Sequence, residues 1–371
     1  MKFTCTKDNL VHALQFVGGA AGKNINLPIL NNVLISTEER TVRFITTNLE
    51  MAIKTNVRGV VEQEGKFTVP AKTLSEYIQL VSSDQVTLSL EDNEIVIQTG
   101  KSKTKIKGNP ADEFPILPTV DVRARYVVNA RELRTALSRV LFACSRSETR
   151  PELSGVFMQF NKTPNTLTLA ATDSYRLSEA QIPLLGAQEG AVQAIIPQRT
   201  LSEVLRITVG HPDDTLINVI FDETQVVFEI GEVTLSTRKI DGRYPDYAQI
   251  IPTQYKTRAY FSTEALAKEV KAASIFASQG VNAVIMECKP AESSLSISST
   301  STQLGEHASS LTVEATGEDG GALLNYRYVL DGISALQATE GEIWFLSTTS
   351  PVVFKPKDSQ GFLYIIMPIR Q

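Results

Sequence analysis

At 371 residues the chain exceeds one ordinary hydrophobic core, and two or three domains are expected. Its 42% hydrophobic and 21% charged content is that of a soluble globular protein and sets aside disordered and membrane-embedded classes. The formal net charge of −5 excludes a globally basic DNA-binding domain, and the dispersed Cys5, Cys144 and Cys288 offer neither a disulfide framework nor metal-ligand spacing.

Met1 to Cys5 reads as a short strand with no secretory hydrophobic region ahead of it. A helix from about Lys7 to Val17 follows, with Leu10, Leu14 and Val17 on its buried stripe, and then an apolar strand, Val33-Leu-Ile35. Val69-Pro-Ala-Lys-Thr-Leu-Ser-Glu-Tyr-Ile78 starts a second helix. Pro70 suits a first helical position, Thr73 and Glu76 fit a capping box, and Leu74, Tyr77, Ile78 and Val81 share one face. Hairpin strands Val86 to Gln98 lead into an edge, Ile95 to Gly108, where Lys101, Lys103, Lys105 and Lys107 alternate.

The same order then recurs. Tyr126-Val-Val128 precedes a helix bearing Leu133, Leu137, Val140 and Leu141, and Val156-Phe-Met158 is the next apolar strand. Ile196-Pro-Gln-Arg-Thr-Leu-Ser-Glu-Val-Leu205 repeats the Val69 stretch 127 positions later, with Thr200 and Glu203 as its box. A third unit opens with Ala259-Tyr-Phe261, Ser262 as cap and Leu266, Val270 and Ala273 inward. It continues through Val284-Ile-Met286, an edge within Ser294 to Leu311, and a helix from Asn325 to Ala338. The pattern predicts an α+β fold of three repeated domains, residues 1–121, 122–253 and 254–371, each with two helices on an antiparallel sheet. Three such units make an arc, and two arcs joined by their strand edges close a ring.

No catalytic constellation stands out. His12, His211 and His307 have no ligand-spaced partners, Gly18 to Gly22 lacks the ending of a phosphate loop, and neither metal nor cofactor is expected. A hydrolase using Asp173 or Asp241 with a cation remains the enzymatic alternative, and a peptide-binding scaffold that never encloses DNA the other. The pairs Arg131/Arg134 and Lys268/Lys271 lie on helix faces away from the leucines, and Arg139 reads as extending that exposed run. With Lys72, Arg199, Arg206 and Arg327 they suggest a sequence-independent phosphate-binding surface.

Thr172-Asp-Ser-Tyr-Arg-Leu177 and the terminal Tyr364-Ile-Ile-Met-Pro-Ile-Arg-Gln371 carry a family resemblance. Leu27-Pro-Ile-Leu30, Thr47-Asn-Leu-Glu-Met51, Thr68-Val-Pro-Ala71, Asp241-Gly-Arg-Tyr-Pro-Asp-Tyr247 and Tyr328-Val-Leu-Asp331 join them in order. Over its full length the chain resembles the bacterial sliding clamp, the beta subunit of DNA polymerase III.

The resemblance implies a cytoplasmic, non-catalytic processivity factor: a head-to-tail homodimer lined by twelve helices that encircles duplex DNA and tethers the polymerase. It implies a pocket for short peptides of the polymerase III alpha subunit, the clamp loader, other polymerases and repair proteins. By matching positions that pocket comprises Leu153, Thr172, Ser174, Tyr175, Arg176, Leu177, Pro245, Ile250, Asn325, Tyr328, Thr349, Pro351, Ile365, Ile366, Met367, Pro368, Ile369 and Arg370. Lys23, Asn24, Lys72 and Arg150 are its further DNA contacts, and Ile275 and Phe276 its dimer contacts, opposite Lys103, Thr104, Lys105 and Ile106, with Glu306 on the complementary edge. Ser174-Tyr175 replaces a common Gly-His, and Gln371 a common apolar terminus.

Overall fold

A computed structural model describes every residue except 23–25, 148, 187–189, 279, 358–359 and 371. The helices are α1 (Lys7–Val17), α2 (Ala71–Leu80), α3 (Ala130–Val140), α4 (Gln198–Val209), α5 (Thr263–Ile275) and α6 (Tyr326–Leu336). The described residues form two compact units, 1–131 with 202–239 and 132–201 with 240–371. Among the described residues no helix is long and apolar enough to cross a membrane.

In the first unit, a five-stranded sheet runs Gly59–Gln63, Lys2–Thr6, Gln85–Glu91, Glu94–Thr99, Ser102–Lys107. A nine-stranded sheet runs Asn109–Pro110, Lys66–Pro70, Asn32–Ser36, Val42–Thr47, Met51–Val57, Val233–Arg238, Gln225–Ile230, Leu216–Phe221, Ala124–Asn129. The larger sheet joins two sequence repeats through one antiparallel pairing, from Met51 opposite Thr237 to Thr55 opposite Val233. Helix α1 covers these sheets with Leu10, Leu14 and Val17 fully or almost fully buried, and Thr6 Oγ1 accepts from Asn9 N–H at its start.

The second unit repeats the plan. Its nine-stranded sheet runs Val192–Pro197, Gly155–Phe160, Thr166–Thr172, Arg176–Pro183, Phe362–Ile366, Val352–Pro356, Glu340–Phe345, Thr257–Ser262, Glu314–Gly317. A four-stranded sheet runs Gly305–Thr312, Ser294–Ser301, Ala283–Lys289, Gly320–Asn325. The repeats join where Arg176 lies opposite Ile366 and Ala180 opposite Phe362, again antiparallel.

The two joints are built alike. In the first, Thr47 Oγ1 donates to Met51 O (2.9 Å) and accepts from Leu49 N–H (3.0 Å), while Asn48 Oδ1 accepts from Glu50 and Met51 N–H. In the second, Thr172 Oγ1 donates to Arg176 O (2.6 Å) and accepts from Ser174 N–H (3.1 Å), and Asp173 Oδ1 accepts from Tyr175 and Arg176 N–H. Leu49 and Ser174 sit at φ 77° and 78°, the left-handed conformation that such Asx-type turns impose. The next repeat's chain then bonds to the turn, Arg238 N–H to Glu50 O (3.0 Å) and Met367 N–H to Tyr175 O (2.9 Å).

Three expectations are corrected. The capping box does not start α2. Strand Lys66–Pro70 runs directly into the helix, so Pro70 is the cap residue rather than the first helical one, no side chain caps, and Thr73 lies inside the first turn. Helix α4 likewise begins at Gln198, placing Thr200 inside it and 2% exposed. Arg139 is not on an exposed face. It is half-buried over the Phe362 ring at 5.0 Å, donates to Leu336 O at the end of α6 (3.0 Å), and burial pushes its guanidinium below the ordinary value.

Candidate functional site

The turn Thr172–Arg176, the connector after Tyr244 and the end of the last strand converge within the second unit on a pocket of about 140 Å³. Thr172, Ser174, Arg176, Leu177, Pro245, Ile250, Ile365 and Met367, all from the sequence-derived set, line it together with Arg150, Asp246 and Tyr247. Its apolar floor belongs to the core. Ala170, Leu177, Val353 and Ile365 form one buried cluster against which Tyr247 and Ile251 pack, and Leu153, Ile195 and Tyr244 form another. Tyr244 stacks on Phe157 at 5.0 Å, which fixes the start of the connector.

Charge at the pocket is held in place rather than left free. Arg176 pairs with Asp173 (3.0 Å) and Asp331 (2.5 Å), donates to Phe142 O (2.8 Å), and lies over the Tyr328 ring at 4.5 Å. Burial alone would depress this guanidinium; Tyr364, Asp331 and Asp173 more than reverse that, so it is raised above its ordinary value. Asp173 is thereby committed to the turn and the ion pair, which takes that carboxylate out of the hydrolase alternative. Arg150 bonds Glu152 (3.0 Å) and Ser174 Oγ (3.2 Å) across the mouth. The Glu152 carboxyl is held below its ordinary value by its own backbone amide first and by Arg150 second.

The remaining residues assigned to the pocket are distributed around it. Thr349, Ile369 and Arg370 line a second cavity of about 800 Å³ beside the same tail. Leu153 and Ile366 are buried, and Tyr175 is 65% exposed. Asn325 caps α6 by accepting from Arg327 N–H, Tyr328 supports Arg176, and Pro351 and Pro368 line neither cavity. Sequence reasoning placed Arg150 with the DNA contacts and passed over Asp246 and Tyr247. The Pro245-Asp-Tyr247 stretch inside the quoted motif was the available signal.

Of the basic set, Lys72, Arg131, Arg199, Lys268, Lys271 and Arg327 are exposed, and Arg134 is half-buried. Lys72 lies 3.6 Å from Glu76. Arg206 is committed elsewhere. It closes the end of α1 by donating to Gln15 O (2.8 Å) and Phe16 O (2.7 Å), and it pairs with Glu203. Lys23 and Asn24 lie outside the described residues. On the edge strand Ser102–Lys107, Lys103 and Lys105 pair with Glu91 and Glu94, Thr104 Oγ1 meets Tyr77 Oη at 2.8 Å, and Ile106 faces the core. Ile275 is 65% exposed, Phe276 stacks on His307, and Glu306 is exposed on the edge strand Gly305–Thr312. Among the described residues no group of three or more His, Cys, Asp or Glu is arranged to hold a metal ion.

The chain matches the family models of the DNA polymerase III beta subunit: the N-terminal domain over residues 1–118, the central domain over 127–246 and the C-terminal domain over 248–370. A beta sliding clamp of Synechococcus elongatus is 31% identical over 374 residues, covering 100% of this chain and 99% of the relative. Crystal structures of the DNA polymerase III beta subunit of Thermotoga maritima and the DNA polymerase sliding clamp of Bacillus subtilis are each 28% identical. They superpose with TM-scores of 0.93 and 0.94, over 100% of this chain and 99% of theirs.

Proposed function

Since the chain belongs to the DNA polymerase III beta-subunit family, the bacterial sliding clamps, we propose that two copies close head to tail into a ring around duplex DNA. The chain is a DNA polymerase processivity factor of DNA replication and not an enzyme. It works in the cytoplasm, as three domains of residues 1–121, 122–253 and 254–371.

One observation supports the ring above others: the joint made twice within the chain leaves one unused half at each end. Strands Met51–Val57 and Arg176–Pro183 pair with the last strands of the following repeats, Val233–Arg238 and Phe362–Ile366. Their counterparts in the third and first repeats, Gly305–Thr312 and Ser102–Lys107, are the outer strands of their sheets. A second copy supplies what each lacks, and the unpaired edges are thereby satisfied. Ile275 and Phe276 pack beside that joint, and Glu306 faces the lysines of the opposing strand.

The exposed Lys72, Arg131, Arg199, Lys268, Lys271 and Arg327, with the half-buried Arg134, attract DNA phosphates without reading bases, so the ring slides. The small pocket takes apolar anchors of linear peptides from the polymerase III alpha subunit, the clamp loader, other polymerases and repair proteins. Its Met367 wall is adaptable enough for several partners. The test is retention on closed circular DNA. Protein loaded on a circle is expected to stay bound and to leave when the circle is cut. Equal retention after linearisation would leave a scaffold that binds peptides without enclosing DNA.

A further inference from the structure

We propose that the second unit's nine-stranded sheet carries, on the face turned away from α6, a site that binds the carboxylate of an aliphatic acid through Lys355. The site is independent of the ring and peptide readings above. Tyr364 donates to Tyr328 O of α6 and packs against Phe354, so Lys355 and Leu363, each one position along, take the opposite face. Glu179 stands opposite Leu363, and Glu342 opposite Lys355. Glu179, Leu363, Lys355 and Glu342 thus form one row across four adjacent strands. With Arg258 they line a cavity of about 440 Å³, the size of a small-molecule pocket.

Lys355 has donors to spare. Among the described residues its half-buried ammonium makes neither an ion pair nor a hydrogen bond, and it lies 3.8 Å over the Trp344 ring, whose buried Nε1–H also lacks an acceptor. Glu342 does not balance it. That carboxylate is 5% exposed and committed to Arg258, which donates through Nε (2.7 Å) and Nη2. Burial holds the Lys355 ammonium below its ordinary value; Glu342 opposes this and Arg258 adds to it. An oxyanion supplies the acceptor that such a half-buried cation lacks within the chain. The rest of the row sets the body of the ligand. Leu363 offers an apolar floor, and beyond it Glu179, which accepts from Gln181 (3.1 Å), repels a second negative charge. At about 4.8 Å per strand, the backbones of Glu179 and Lys355 lie about 10 Å apart, room for a short aliphatic chain but not for a diacid. The matching ligand is an aliphatic monocarboxylate, either a free acid or the C-terminus of a peptide.

Trp344 is the only tryptophan in the chain, so the intrinsic fluorescence of the whole protein reads this site. Titration with hexanoate is expected to change it saturably, with a Kd of about 1 mM. Hexanamide, which lacks the charge, and adipate, which carries a second one, should bind at least about tenfold more weakly. Lys355→Met should weaken hexanoate by a similar factor, Lys355→Arg should preserve it, and Glu179→Gln should bring adipate close to hexanoate. Lys355 is partly exposed, and should Lys355→Met nonetheless unfold, the Glu179→Gln variant and the hexanamide comparison still decide. Acetyl-Gly-Gly-Leu separates the sources: saturation by this peptide alone assigns the carboxylate to a chain end, and saturation by hexanoate assigns it to a free acid. No saturable response to either carboxylate, equal binding of hexanamide or adipate, or a response that survives Lys355→Met overturns the proposal.

Discussion

Arg176 shows how much a single side chain carries at this site. It joins Asp173 in its own turn, Asp331 on α6, the Phe142 carbonyl and two aromatic rings while only 11% of its side chain is exposed. Removing a buried partner leaves the others charged or unbonded, which costs more than the pair itself contributes. Arg176→Ala is therefore expected to lower the stability to urea unfolding by about 3 kcal/mol and to weaken anchor-peptide binding. A loss below about 1 kcal/mol would show that water replaces these contacts. Gly332 belongs to the same assembly, since a Cβ there would lie 2.3 Å from the Tyr364 ring that packs behind α6. The family resemblance carried by the Thr172–Leu177 motif placed Arg176 at the site, but nothing local in the sequence pairs it with Asp331, 155 positions away.

Among the elements, the repeated turns and edge strands do most to define the molecule. A Thr followed by an Asx residue fixes its own turn through short-range hydrogen bonds, so Thr47–Met51 and Thr172–Arg176 take the same shape despite different sequences. The helix starts were less readable. Thr-x-x-Glu is a box only when the threonine is the cap, and the preceding strands carry the chain into α2 and α4 before that residue is reached. Arg139 was misread for a related reason. Helical spacing gives the face of a residue within its own helix, but the cover over Arg139 comes from Leu336 and Phe362, far along the chain. For the proposed joint between copies, changing both Ile275 and Phe276 to Asp is expected to weaken dimerisation by about a thousandfold and to give monomers in sedimentation. A dimer that survives both changes would remove these residues from the interface.

At the scale of the whole molecule, a net charge of −5 coexists with a proposed DNA-facing surface because binding depends on where cations lie, not on their sum. Attraction to phosphates and enclosure of DNA respond differently to salt. Binding to short linear duplex is expected to fall with a log–log salt slope of about −4 or steeper, while retention on a closed circle changes little between low and moderate salt. Equal salt sensitivity on both DNAs would mean that charge alone holds the protein.

By itself the sequence determined the repeated order of strands and helices, the buried stripes of α1, α3 and α5, and the motif positions that line the small pocket. The element order and the stripes follow from local periodicity, which a linear string carries intact, whereas the pocket positions came from the motifs' resemblance to the family. Tertiary structure alone decided which strands splice repeats into nine-stranded sheets, that Arg139 and Arg206 close the ends of other helices, and that Arg150 stands at the pocket mouth. Each depends on contacts between residues remote along the chain, and such contacts are fixed by packing and burial rather than by spacing.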